Sequence, residues 1–416
     1  MNKNESKLGI MIVGLGGAVA STAIAGIELL KNNKIGTEGL PLADLPKDLT
    51  GGIVDYKSLV FTGWDMNGDD LSAAAITHNV LTLPQFSAVS EELQAAKPLA
   101  AVVNSAFCHN IEGKNVFVAE NHFAAVEKLR EDIRQFKNDS GVERIVVINL
   151  ASTESFVDKD SQTFATLEDF EKALGENSPE ISPAMIYAYV AIGANVAYGN
   201  FTPSVGADIP ALVEYAEKMN VPVAGKDGKT GQTFIKTVIA PGLKARALKV
   251  DGWFSTNILG NRDGLALQHP DSLKSKITTK GSVLDDILCY KVEDHLVDIR
   301  YYRPRGDNKE AWDNIDIIGF MGQPMQLKIN FLCKDSILAA PLVIEIARLL
   351  DYAQRRGEKG VQTQLSTFFK LPQVTDENTE TPEHAVHKQQ QMLLDWLEKH
   401  VVEAPKENEK TAAAGE

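Results

Sequence analysis

Apolar residues fall into two textures along this chain. Up to about residue 233 they gather in short runs at 8–13, 58–62, 100–103, 144–149 and 221–224. Between these runs the apolar positions recur at helical spacing, as in 19–31, 121–136 and 183–192. Strand-length runs separated by crossover helices predict an α/β fold with a doubly wound parallel sheet. Residues 33–57 carry Gly, Pro, Asp and Asn without a period and read as an irregular insertion.

Past residue 234 the period changes to two. Val297, Ile299 and Tyr301 alternate with polar residues, as do Ile315 and Ile317, then Leu327, Ile329 and Phe331, with a Gly322-Gln323-Pro324 turn before the last set. That pattern predicts an antiparallel sheet with one apolar face, its other face covered by helices, water or a neighbouring subunit. Helical spacing returns over 336–353, so the chain is expected to rejoin its first domain. The expected division is 1–233 for the doubly wound domain, 234–337 for a central α+β domain, 338–403 for the return, and 404–416 for a polar, disordered tail.

Composition narrows the function. The chain has 416 residues, 44% hydrophobic and 24% charged, enough for a large core. A net charge of −14 argues against a surface that tracks a nucleic-acid backbone, which draws on many Lys and Arg. Cys108, Cys289 and Cys333 are too few and too far apart for a disulfide framework or a structural zinc site. With no signal-peptide pattern and no apolar run of about 18 residues, the expected location is the cytoplasm.

The run at 8–13 ends in Gly14-Leu15-Gly16-Gly17-Ala18 and opens a helix, the context in which backbone N–H groups meet a diphosphate. The acidic residue expected about 20 positions further on is missing, because the insertion lies there. Asp65, just after the second run, is the substitute; a tight turn without ligand and a solvated aspartate are the plainer alternatives. Four lysines stand out downstream. Lys276 and Lys280 share a face if helical, Lys309 follows Gly306-Asp307-Asn308, and Lys370 stands between Phe369 and Leu371-Pro372. Clustered lysines supply a neutral amine as base and cations for a phosphate, whereas an isolated run is a solvated surface. Asn257, Asn261 and Asp263 suit recognition of hydroxyls or a carboxamide.

In order along the chain, Gly14-Leu15-Gly16-Gly17, Gly63-Trp64-Asp65, Ala151-Ser152-Thr153-Glu154, Gly225-Lys226-Asp227 with Gly231-Gln232-Thr233, and Asn257 to Gly264 resemble blocks of the inositol-phosphate synthase family. So do Ser275-Lys276 to Lys280, Val283 to Asp286, Gly306-Asp307-Asn308-Lys309 and Asp335 to Pro341. The resemblance implies conversion of glucose 6-phosphate to inositol 1-phosphate (equivalently 3-phosphate) with NAD, by oxidation at C5, enolisation, aldol closure and reduction. It implies a Rossmann-type domain made by both chain ends and a central domain whose sheet builds a homotetramer. By motif position, Lys276, Lys280, Lys309 and Lys370 correspond to the active-site lysines, and Asp227 and Asp335 to the active-site carboxylates. Cofactor contacts fall to Gly14, Gly16, Gly17, Ala18, Asp65, Ser152, Thr230, Asn257 and Asp307, and substrate contacts to Asn261, Asp263, Lys280 and Lys309. Asp307 and Asn308 are the candidates for a divalent metal or monovalent cation. Ser152, Lys226 and Asn308 depart from common family residues, and Gly199 to Pro203 replaces a block of eukaryotic members, which suggests a prokaryotic-type branch. An NAD-dependent dehydrogenase of another phosphorylated substrate, with net redox change, is the alternative enzyme; a dinucleotide-binding regulator is the non-enzymatic one.

Overall fold

The computed structural model describes residues 7–109, 112–261, 264–265, 283–375 and 381–402. Asp263, Lys276, Lys280 and the tail expected from 404 lie outside these residues.

Among the described residues eight strands form a wholly parallel sheet: β1 (Leu8–Val13), β2 (Leu59–Asp65), β3 (Leu99–Val102), β4 (Val116–Phe117), β5 (Arg144–Asn149), β6 (Ala197–Asn200), β7 (Pro222–Gly225) and β12 (Gly360–Val361). Their spatial order is β12-β7-β6-β5-β1-β2-β3-β4. Every residue of β1 is buried, which is why the sequence shows an unbroken apolar run there. Leu8, Ile10 and Ile12 face one core with helices Ala18–Lys31 and Asp335–Arg355. Met11 and Val13 face the other, with helices His122–Ser140 and Pro183–Gly193. From β1 the chain builds outward to β4, then returns to β5 on the opposite side of β1. The helices that follow β1 and β5 therefore lie on opposite faces of the sheet, which opens a crevice at the strands' carboxyl ends.

The C-terminal part belongs to this body. Helix Asp335–Arg355 packs on β5, β6 and β7, and β12 extends the sheet beyond β7. The helix also holds the 33–57 insertion. Glu345 accepts from Leu42 N at 3.1 Å and Tyr56 Oη at 2.6 Å, and Arg348, paired with Glu345, donates to Val54 O at 2.8 Å.

A second sheet has the order β11-β10-β8-β9, made of β8 (Lys249–Leu259), β9 (Asp294–Tyr301), β10 (Asn308–Ile318) and β11 (Pro324–Lys334). β10 is antiparallel to both neighbours, as the alternation suggested, but β9 runs parallel to β8. The sheet is mixed, which corrects the antiparallel expectation. A period of two reports a half-buried strand and not its direction, and the 34 residues between β8 and β9 (260–293) leave room for the crossover that parallel pairing needs. Trp253, Ile315, Ile317 and Val250 are buried under helix Gly231–Ala245 and the turn of helix at 283–288. On the opposite face Phe254, Leu296 and Trp312 remain 42%, 56% and 48% exposed, so among the described residues that face is left uncovered.

Candidate active site

The crevice begins at the glycine turn. Gly14 has φ +91°, and a Cβ there would lie 3.1 Å from the Ala151 backbone, so only glycine lets the loops after β1 and β5 approach this closely. The N–H groups of Gly14 and Leu15 donate to Trp64 O at 2.8 and 3.0 Å. Gly17 precedes helix Ala18–Lys31 with no side-chain cap and no acidic residue in the first turn. That leaves the helix N-terminus open to an anion.

The peptide flanking Gly16 is clamped on both sides. Its N–H donates to Asp65 Oδ2 at 2.8 Å, and its carbonyl accepts from His78 Nε2 at 2.9 Å, which fixes the proton on that nitrogen because a carbonyl only accepts. The other oxygen of Asp65 accepts from Asn67 N at 2.8 Å. Asp65, 9% exposed, thus stands at the end of β2, where the substitute acid was expected, and also braces the turn. Gly14, Gly17, Ala18, Asp65 and Ser152 line the crevice, while Gly16 lies behind them.

At the other end two lysine–carboxylate pairs face the same space. Asp227, at φ +58° on the loop after β7, accepts from Lys370 Nζ at 2.7 Å, and the side chains are 3% and 6% exposed. The segment after the turn Thr363–Phe368 is laced to that loop: Lys226 N donates to Leu371 O, Lys370 N to Asp227 O and Gln373 N to Gly225 O. Lys309 Nζ lies 3.4 Å from Asp335 Oδ1, which also accepts from Thr230 Oγ1 at 3.2 Å. Lys309 comes from β10 and Asp335 from the helix that follows β11, so the two sheets meet here. Thr230 and Asn261 line the crevice with these pairs.

Three sequence candidates occupy other places. Asn257 is 1% exposed beneath the crevice and donates to Gln232 Oε1. Its Oδ1 meets no donor among the described residues. Asp307 receives Ser336 Oγ at 2.7 Å and Ser336 N at 3.2 Å, which ties it to the first turn of helix Asp335–Arg355. Burial and the neighbouring Asp335 raise its carboxyl above the usual range, against the Ser336 hydrogen bonds. Asn308 is exposed. Among the described residues no three His, Cys, Asp or Glu side chains are grouped to hold a metal ion.

Two crevice residues escaped the sequence reading. Glu154 is 5% exposed, and burial pushes its carboxyl up to about 7, although the Ser182 side chain and the N–H of Ala184, at 3.0 Å, favour the carboxylate. His78 carries no motif, and only the fold brings it to Gly16. Glu154 belongs to the family-like block Ala151-Ser152-Thr153-Glu154, but nothing in the sequence shows that its environment is dry.

The family model described as myo-inositol-1-phosphate synthase matches residues 47–398. Inositol-3-phosphate synthase 1 of Bacteroides thetaiotaomicron is 42% identical over 409 residues, spanning 94% of this chain and 95% of the relative. Inositol-3-phosphate synthase of Saccharomyces cerevisiae is 29% identical, over 86% of this chain and 76% of its own length. Among solved structures, inositol-3-phosphate synthase from Caenorhabditis elegans superposes with a TM-score of 0.88 at 27% identity, covering 95% of this chain and 86% of that one. A myo-inositol-1-phosphate synthase-related protein from Thermotoga maritima gives 0.78 at 26%, covering 94% and 98%.

Proposed function

The chain belongs to the myo-inositol-1-phosphate synthase family, and we propose that its two lysine–carboxylate pairs, with Lys276 and Lys280, carry the ring closure for which that family is named. It is an NAD-binding enzyme that converts glucose 6-phosphate to an inositol phosphate. The observation that carries the proposal is the convergence of Lys309, Lys370, Asp227 and Asp335 on the crevice that the glycine turn opens.

The residues present suit a dinucleotide. The uncapped N-terminus at Gly17 and the close approach at Gly14 form a cradle that a side chain would fill. Asp65, Ser152 and Thr230 are placed to hold the rest. A dinucleotide held there would supply the hydride acceptor for C5 of the sugar and the hydride donor after ring closure, leaving no net redox change. The remaining chemistry falls to this chain. A ketone at C5 acidifies C6; a base must take a C6 proton, a cation must hold the enolate oxygen, and a donor must protonate the C1 oxygen as the C6–C1 bond forms. Lys370, held by Asp227, and Lys276 move protons at the reacting oxygens. Lys309, oriented by Asp335, and Lys280 bind phosphate and stabilise the enolate, while Asn261 and Asp263 receive sugar hydroxyls. Asn257 and Asp307 support the wall from behind. The cation reading of Asp307 and Asn308 gains no support from a side chain committed to Ser336.

Residues 1–233 and 338–403 act together as the dinucleotide domain and 234–337 as the central domain, whose uncovered face at Phe254, Leu296 and Trp312 supports assembly into a homotetramer. The decisive test incubates the protein with glucose 6-phosphate and catalytic NAD. A phosphatase-labile cyclitol phosphate should accumulate without net NADH. Stoichiometric NADH with a keto-sugar product would sink the synthase reading in favour of a dehydrogenase.

A further inference from the structure

Lys229 has no part in the scheme above, yet it is only 4% exposed and lies between Asp227 and Thr230 in sequence. Its backbone N–H donates to Phe368 O at 2.8 Å, two residues before Lys370. Its ammonium donates to Oε1 of Gln389, a fully buried residue of helix Val386–Val402. The amide nitrogen of Gln389 donates in turn to Glu383 O. Leu42, Leu45, Phe234, Leu342 and Leu393 line the recess beside the lysine. A charged amine in such surroundings is unfavourable, and an apolar side chain of the same length would fill the space more cheaply.

Three backbone bonds explain what the position controls. Asp227 N donates to Thr202 O at 3.1 Å and Gly228 N to Phe201 O at 3.0 Å, fixing the inner side of the loop. The outer side is held by Lys229, through Phe368 and Gln389. The same loop presents Asp227 to Lys370 and Thr230 to Asp335. We propose that Lys229 is a positioning residue: through Gln389 it makes the C-terminal helix the outer support of the loop, and thereby sets both lysine–carboxylate pairs in register with the crevice. This rests on the function proposed above.

Burial pushes the Lys229 amine down to about 7, with Glu383 opposing the shift. The charged groups around it are few. Glu383, ahead of the C-terminal helix, pairs with Lys388 at 3.0 Å. The Asp227–Lys370 pair stands on the inner side, and His384 faces Asp286 at 3.4 Å. No other charged side chain lines the recess among the described residues.

The experiment uses the full chain and compares Lys229→Met, Gln389→Ala and Gln389→Glu with the wild type in thermal midpoint, in kcat and KM for glucose 6-phosphate and NAD, and in pH–rate profile. Lys229→Met should melt at or above the wild-type temperature, because a thioether replaces a desolvated amine. Its kcat should fall roughly tenfold to a hundredfold, the scale of a small misplacement of catalytic groups, with both KM values within about twofold. Gln389→Ala should show the same kcat loss. Gln389→Glu should keep kcat and move the alkaline limb of the profile to higher pH, since a carboxylate beside the amine favours its charged form. Wild-type kcat in Lys229→Met overturns the proposal, as does a loss accompanied by a lower midpoint and raised KM values, or an alkaline limb unmoved in Gln389→Glu. A wild-type protein that forms no cyclitol phosphate refutes the proposed function itself, whereas an active wild type matched by its variants refutes only the role of Lys229.

Discussion

Replacing Lys370 by Met tests the crevice most directly. Lys370 and Asp227 are 2.7 Å apart and 6% and 3% exposed, so the substitution strands a carboxylate in a wall that water barely reaches. Breaking one side of a buried pair costs about 3–5 kcal/mol. Because this pair borders a crevice, the lower end applies, about 3 kcal/mol, a large share of a typical total of roughly 5–15 kcal/mol. Adding Asp227→Asn removes the stranded charge, so the double variant should return to within about 1 kcal/mol of the wild type. Thermal or denaturant midpoints of the three proteins in one buffer give the stability order, and the cyclitol phosphate assay gives turnover. Both variants should lose at least about a hundredfold in kcat if Lys370 moves a proton. A single variant as stable as the wild type refutes the buried-pair argument. A double variant that turns over normally removes Lys370 from the chemistry.

Other expectations follow from the same geometry. Glu154 has its carboxyl raised from 4.5 to about 7 by burial, so the native state holds a proton that the unfolded chain releases. Stability from this group is full below about pH 4.5 and lost as pH rises through about 7, by on the order of 3 kcal/mol. Glu154→Gln should flatten that part of the stability–pH curve, and an unchanged curve would contradict the dry environment. A Cβ on Gly16 would lie 3.2 Å from the Asp65 carboxyl; Gly16→Ala should raise KM for NAD about tenfold, or roughly 1.4 kcal/mol, with kcat nearly constant. Phe254→Asp with Trp312→Glu should shift the protein to smaller species in light scattering if the uncovered sheet face is the assembly surface, and an unchanged mass would place assembly elsewhere.

Much of the large sheet was legible because β1, β5 and β7 are buried on both faces and leave unbroken apolar runs, and because Gly14 to Gly17 mark the turn after β1. The direction of β9 was not, since alternation carries no sign. Lys309 and Lys370 stood out by motif position, and the fold brings them to one crevice although β10 and the C-terminal segment are far apart in sequence. The protein partners of Asp307 and Asn257, Ser336 and Gln232, were hidden, because a carboxylate or amide looks the same in sequence whatever it bonds. Glu154, His78 and Lys229 were missed for a related reason: their significance lies in what surrounds them, supplied by Ala184, Gly16 and Gln389 from distant segments.

On the function proposed above, Asp65 joins two duties that an engineer would prefer to find apart. Retuning a dinucleotide site toward a 2′-phosphate ordinarily begins by exchanging the acid at the end of the second strand for a neutral or basic side chain. Here that exchange would also remove the acceptor of the Gly16 N–H and loosen the turn meant to receive the diphosphate. A redesign would have to supply a second acceptor before altering the charge. Cofactor choice in this chain is thereby tied to loop geometry, and a single-step change of preference should cost affinity for both dinucleotides.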